Sequence, residues 1–195
     1  MKRWHEPLAV AVLVGGYVGA FHRFGLFDFA DEGLQLAQAW RVAHGERPYV
    51  DFHTGYGPLY FTLQGALVRW GGLGAVRAAL AAVHVASAVL MFVLTRRLAG
   101  RVLAWVAIAI QLAFFLPVAP ALGAPFNVPY PAWYAEVAGL GIAVVLSGSS
   151  AIGIPAAVVA GLLVGSTCAV KVNSGLLLGA GTVLALALQP GSGRV

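Results

Sequence analysis

The sequence predicts an all-α fold: a polytopic bundle of about six membrane-crossing helices with a long first loop outside the cytoplasm. Three observations predict it. Of the 195 residues, 60% are hydrophobic and 10% charged, against about 25% charged in an ordinary globular domain. Mean hydropathy is +0.85, and a soluble domain of this length would need more polar surface than that composition supplies. The charges are also clustered: of Glu6, Asp28, Asp31, Glu32, Glu46, Asp51 and Glu136, five lie between residues 28 and 51, while the basic residues flank apolar runs.

Each element follows from local pattern. The run from Pro7 to Phe21, closed by His22 and Arg23, reads as the first span, with Gly25 to Phe29 extending it into the interface. Lys2 and Arg3 ahead of it would also suit a signal peptide, but the apolar segments downstream favour a helix that stays in the membrane. Residues 28–74 form the polar, aromatic loop. Within it Asp31 is placed to cap a partly amphipathic surface helix running to about His44 and ended by Gly45 and Pro48. Tyr49 to Pro58 reads as loop, and Leu59 to Val68 as a short apolar stretch ending at Arg69 and Trp70.

Five further spans are read at Ala78–Thr95, Val102–Leu116, Trp133–Leu146, Ala151–Val170 and Ser174–Leu188. Gly100 sits in a tight turn, and Pro117, Pro120, Pro125, Pro129 and Pro131 break the chain into a loop; residues 190–195 form a polar tail. Alternating spans put Lys2, Arg3, Arg96, Arg97, Arg101 and Arg194 on one side. The positive-inside rule makes that side cytoplasmic, with the amino terminus there and the 28–74 loop and Lys171 outside, in a multi-pass plasma-membrane protein.

The formal charge of +5 does not imply a nucleic-acid partner, because no polar domain interleaves basic and aromatic residues. Cys168 stands alone, which excludes an intrachain disulfide and a multi-cysteine metal site. Asp28, Asp31, Glu32, Asp51 and His53 among loop aromatics could line a polar cavity in which a carboxylate works as general base. They could equally balance the loop arginines, or hold a metal. Glu136, beside Tyr130, Trp133 and Tyr134, is expected to face the bundle interior or a cavity. Lys171, with Asn173 close by, suits an anion such as phosphate or simple snorkelling. His84 is a candidate for a hydrogen bond across helices.

The linked pattern Asp31-Glu32-Gly33, Ala39 to Gly45, Arg47-Pro48-Tyr49-Val50-Asp51-Phe52 and Tyr56-Gly57-Pro58-Leu59 resembles the first outward loop of the membrane-embedded GT-C glycosyltransferases. More narrowly it is similar to the bacterial branch related to protein O-mannosyltransferases and to the aminoarabinose and lipopolysaccharide-core sugar transferases. Lys171-Val172-Asn173-Ser174-Gly175 resembles the lysine segment farther along in those proteins. The resemblance implies transfer of a sugar from a polyprenyl-phosphate carrier to an acceptor hydroxyl on a glycan, lipid or protein outside the cytoplasm.

By the same resemblance Asp31 would be the catalytic base. Lys171, with Arg69 or Arg77 behind it, would receive the lipid phosphate, and Glu32 and Asp51 would orient substrate. His53, Tyr56, Glu136 and Asn173 complete the expected substrate-binding set. A divalent metal, Mg or Mn, serves some relatives and not others. The match covers the amino-terminal part of such proteins, so residues 1–195 are read as that part of a longer transferase or as a short paralogue with a partner. The other readings are a non-catalytic component handling lipid-linked sugars (a flippase subunit or assembly factor) and a transporter, to which the sequence lends little.

Overall fold

In the computed structural model, residues 4–22, 30–114, 128–148 and 153–188 are described. Lys2, Arg3, Gly25 to Phe29 with Asp28, the prolines at 117, 120 and 125, Arg194 and the 190–195 tail lie outside the described residues.

Seven helices run through the described residues: α1 (His5–His22), α2 (Asp31–Ala43), α3 (Pro58–Ala99), α4 (Arg101–Phe114), α5 (Pro131–Leu146), α6 (Ile154–Val170) and α7 (Val172–Ala187). Proline stands in the first turn of α3, α5 and α6, where its missing N–H has no helical partner to lose. Asp31 is not the cap of α2. Ala30, which has no side-chain acceptor, holds that position, and no side chain caps the helix; the Asp31 carboxylate accepts from Tyr130 instead.

The end of α2 follows the sequence closely. Gly45 adopts φ 97°, its N–H donates to the Val42 carbonyl at 3.0 Å, and the Glu46 N–H donates to Arg41 O at 3.1 Å. That pair of bonds closes the last turn, and the left-handed residue it needs favours glycine.

α3 is one element of 42 residues bent at Gly71–Gly72, where Gly72 has φ 61° and ψ −150°. Only glycine enters that region without a steric penalty. The bend joins the apolar stretch after residue 58 to the segment read separately as Ala78–Thr95. α3 then serves as the spine, with α1, α2, α4, α5 and α6 all packing on it, while α5, α6 and α7 pack on one another.

Two apolar cores form. Val10, Val14 and Val18, one helical turn apart on α1, meet Ala88 and Phe92 of α3 and Ala104 and Ile108 of α4. Tyr60 and Phe61 at the start of α3 meet Val170 at the end of α6.

The six-span expectation requires correction. Among the described residues one helix, α3, is long and apolar enough to cross a membrane, with a mean hydropathy of 2.2 in its best window. α4 to α7 have 14, 16, 17 and 16 residues. At about 1.5 Å per residue these fall short of the roughly 30 Å of a hydrocarbon core. The sequence reading counted apolar runs as spans on composition, although most were shorter than the roughly 20 residues a crossing needs. The inside–outside alternation, the cytoplasmic amino terminus and the multi-pass plasma-membrane placement rested on that count and fall with it.

Candidate functional site

The polar residues gather mainly at the end of the fold where α2, the 44–57 segment, the start of α3, the start of α5 and the α6–α7 junction meet. Arg41 organises the segment after α2. It pairs with Glu46 at 2.6 Å, donates to the Asp51 carbonyl at 2.9 Å, and places its guanidinium 4.6 Å from the centre of the Phe52 ring. Asp51 accepts the Arg47 N–H at 2.7 Å and pairs with the Arg47 side chain at 3.4 Å. The Arg47 backbone N–H, more than its guanidinium, holds the Asp51 carboxyl below the usual carboxylate range. Asp51 therefore belongs to a local turn.

A second set of bonds joins the helices. The Tyr130 hydroxyl donates to the exposed Asp31 carboxylate, and the Tyr60 hydroxyl donates to Pro129 O. Gln64, buried, donates to the Tyr134 hydroxyl at 2.6 Å, while its own Oε1 has no partner among the described residues. Ser87 donates to Glu136 at 2.6 Å. Glu32, 1% exposed, pairs with Arg77 at 3.1 Å across the α2–α3 contact. A charge as buried as Glu32 is tolerated only with such a partner. His84, also buried, stacks edge-on against Trp133, with ring centres 5.1 Å apart.

The α6–α7 junction docks here through backbone. The Gly57 N–H donates to Val170 O at 2.9 Å. A side chain on Gly57 would stand 2.5 Å from the Ala169 carbonyl carbon, so this approach needs glycine for space. Cys168 lies beneath Gly175 in the same way: a Cβ there would come within 2.5 Å of its Cα and Sγ.

Of the expected site residues, Asp31, Tyr56, Glu136, Lys171 and Asn173 lie at or beside this end, and Glu32 is a buried structural pair. Lys171 follows Val170, which packs on Tyr60, and its residue is extended at φ −150° between the two helices. No carboxylate pairs with Lys171 among the described residues. Asn173 uses its side-chain oxygen on the Ser174 N–H at 2.9 Å. Tyr56 stacks with Tyr60 and Phe61. His53 is exposed and contributes its carbonyl to Gln38, and Arg69 is exposed on α3. Arg77, expected behind the phosphate, is the partner of Glu32. Sequence reading missed Arg41 and Gln64, since neither belongs to a cluster of like residues. Among the described residues no group of three His, Cys, Asp or Glu is placed to hold a metal ion.

No family model, no curated protein and no solved structure matches this chain. The glycosyltransferase resemblance is therefore corrected. Its loop pattern finds no counterpart in a matched family, and the six-span frame that such a transferase needs is not what the helices provide. The sugar-transfer activity and the non-catalytic handling of lipid-linked sugars rested on the same frame and are withdrawn with it.

Proposed function

We propose that the chain is a lipid-binding helical module: it seats an apolar face against lipid acyl chains and presents the Asp31–Tyr130 and Lys171 end to headgroups and water. One observation carries this reading. Along α6 and α7 Ile154, Val158, Leu162, Leu176, Leu177, Val183 and Leu184 are exposed, all more than half so. Single exposed apolar residues are ordinary, but a continuous apolar face of this kind marks a missing apolar neighbour.

Three features support lipid as that neighbour. Only 28% of the apolar window of α3 is buried, whereas the core helix of a water-surrounded bundle is mostly covered. Trp40, near the end of α2, and Trp70, at the bend of α3, are both exposed, and such amphipathic rings favour the boundary between water and hydrocarbon. α6 and α7 carry no charged residue within their lengths.

Flotation tests the reading. Purified chain, freed of detergent in the presence of phosphatidylcholine vesicles, is expected to rise with them in high salt. Quenching of its tryptophans by brominated acyl chains is expected to accompany flotation. A chain that stays in the aqueous phase as a defined oligomer, its apolar face covered by a second copy, would sink the lipid reading.

A further inference from the structure

At the opposite end of the fold, a cavity of about 550 Å³ opens between the start of α1 and the end of α3, lined by Trp4, Pro7, Phe92, Val93, Arg96 and Arg97. Its charge is unbalanced. Glu6 is the one carboxylate at this end among the described residues, and it is shared by Arg96 and by Arg101, the latter at 2.6 Å. Arg97 pairs with no carboxylate among the described residues. Its Nη1 donates to Val144 O at 2.7 Å and reaches Ser147 Oγ at 3.4 Å, closing the end of α5. Among the described residues the Nε and Nη2 donors of Arg97 have no hydrogen-bond partner. Three guanidiniums thus face one carboxylate beside a cavity with an apolar floor and an exposed tryptophan at its rim.

We propose that this cavity binds a phosphoryl anion, carried as the headgroup of an acidic phospholipid. A phosphoryl group supplies planar pairs of acceptor oxygens to a guanidinium fork and offsets the surplus positive charge. Phe92, Val93 and Pro7 take the first apolar atoms behind the headgroup, and the Trp4 indole N–H stands at the rim as a further donor. The cavity charge stands apart from the lipid-binding reading; the choice of a lipid as carrier rests on it.

The test is a titration of the full chain in phosphatidylcholine micelles, followed by tryptophan emission. The probes are short-chain phosphatidic acid, the matching diacylglycerol and inorganic phosphate, each also run on Arg97→Gln and Trp4→Ala. Wild type is expected to bind phosphatidic acid about tenfold more tightly than either variant, to weaken as salt rises, and to ignore diacylglycerol. Trp4 lies outside both cores, so Trp4→Ala keeps the test open if Arg97→Gln loosens the end of α5. Displacement of the lipid by equal inorganic phosphate supports the phosphoryl site and reassigns its carrier to the free ion. Failure of inorganic phosphate to displace it supports the headgroup. Equal affinity for phosphatidic acid and diacylglycerol, or no loss in both variants, overturns the proposal. A chain that floats with pure phosphatidylcholine yet shows no phosphate preference fails this inference and leaves the lipid-binding reading standing. One that binds phosphate without floating does the reverse.

Discussion

Gly57→Ala tests how α6 and α7 are held to the rest of the fold. Gly57 has φ −70°, which any residue adopts, so the substitution carries no backbone strain. Its whole effect is steric. The added methyl would stand 2.5 Å from the Ala169 carbonyl carbon and 3.0 Å from the Val170 nitrogen, well inside the about 3.5–4.0 Å at which such atoms rest. Both obstacles are backbone atoms of α6, so no side-chain rotation relieves them. The start of α3 must back away by roughly an ångström. That movement breaks the 2.9 Å bond from Gly57 N to Val170 O and loosens Val170 against Tyr60 and Phe61. Overpacking of this kind costs about 1–3 kcal/mol and a lost hydrogen bond about 1 more, giving roughly 3 kcal/mol. In a chain of this size that lowers the melting temperature by roughly 6–12 °C. Gly55→Ala is the control, because a Cβ there meets nothing within 4 Å. Thermal unfolding of both variants in the same lipid or detergent, followed by tryptophan emission, measures the difference. Melting points within a degree of each other would refute the close backbone approach and the docking of Lys171 that depends on it.

Other perturbations read other parts of the fold. Arg77→Leu is expected to destabilise by about 3–5 kcal/mol by removing the guanidinium from buried Glu32, and Arg77→Leu with Glu32→Leu to recover most of that; chemical denaturation of the two variants decides, and equal losses would contradict the pairing. Asp51 has a folded pKa below its unfolded value, so it stabilises the 47–52 turn above the unfolded pKa of about 4 and loses that effect as pH falls through the folded pKa. Protection of the Arg47 amide hydrogen, measured against its intrinsic exchange rate at each pH, is therefore expected to fall below about pH 4 in wild type and to be insensitive to that range in Asp51→Asn. Leu177→Arg with Leu184→Arg, on the exposed face of α7, is expected to weaken vesicle binding by about 2.5–3.5 kcal/mol per arginine placed at depth. Flotation unchanged by the pair would show that this face meets no lipid.

The parts of the fold legible in the sequence were those set by local chemistry. Gly45 ends α2 through its left-handed turn, as expected; Pro58 and Pro131, read as loop residues, and Pro155, read inside a span begun at Ala151, instead stand in the first turns of α3, α5 and α6. The bend at Gly71–Gly72 was not legible, because a pair of glycines inside an apolar stretch reads equally well as a loop or as a kink. The number of crossings was misread because composition was allowed to stand in for length. Partner choice was the least legible. Asp31 satisfies a tyrosine 99 residues away and Glu32 an arginine 45 residues away. Nothing in the spacing of a lone Gln64 announces that it meets Tyr134. Adjacent acids therefore looked like one site, yet Asp31 faces outward at the start of α5 while Glu32 is locked under α3.

The arrangement of the helices bears on what covers the apolar face. α5 runs from Tyr130, beside Asp31, to Ser147, beside Arg97, and so connects the two polar ends that α3 also joins. α6 ends at the Asp31 side, where Val170 O receives Gly57. Between these ends α4 beyond Arg101, α6 and α7 carry no charge, and most of the described acids and bases lie at one end or the other. A protein partner imposes no such rule, since its surface can meet a charge anywhere along a helix with one of its own. A lipid surface does impose it, because a charge facing acyl chains has no counterpart there. The uncharged middle therefore favours lipid over a second protein as the neighbour of α6 and α7, on grounds separate from their exposure.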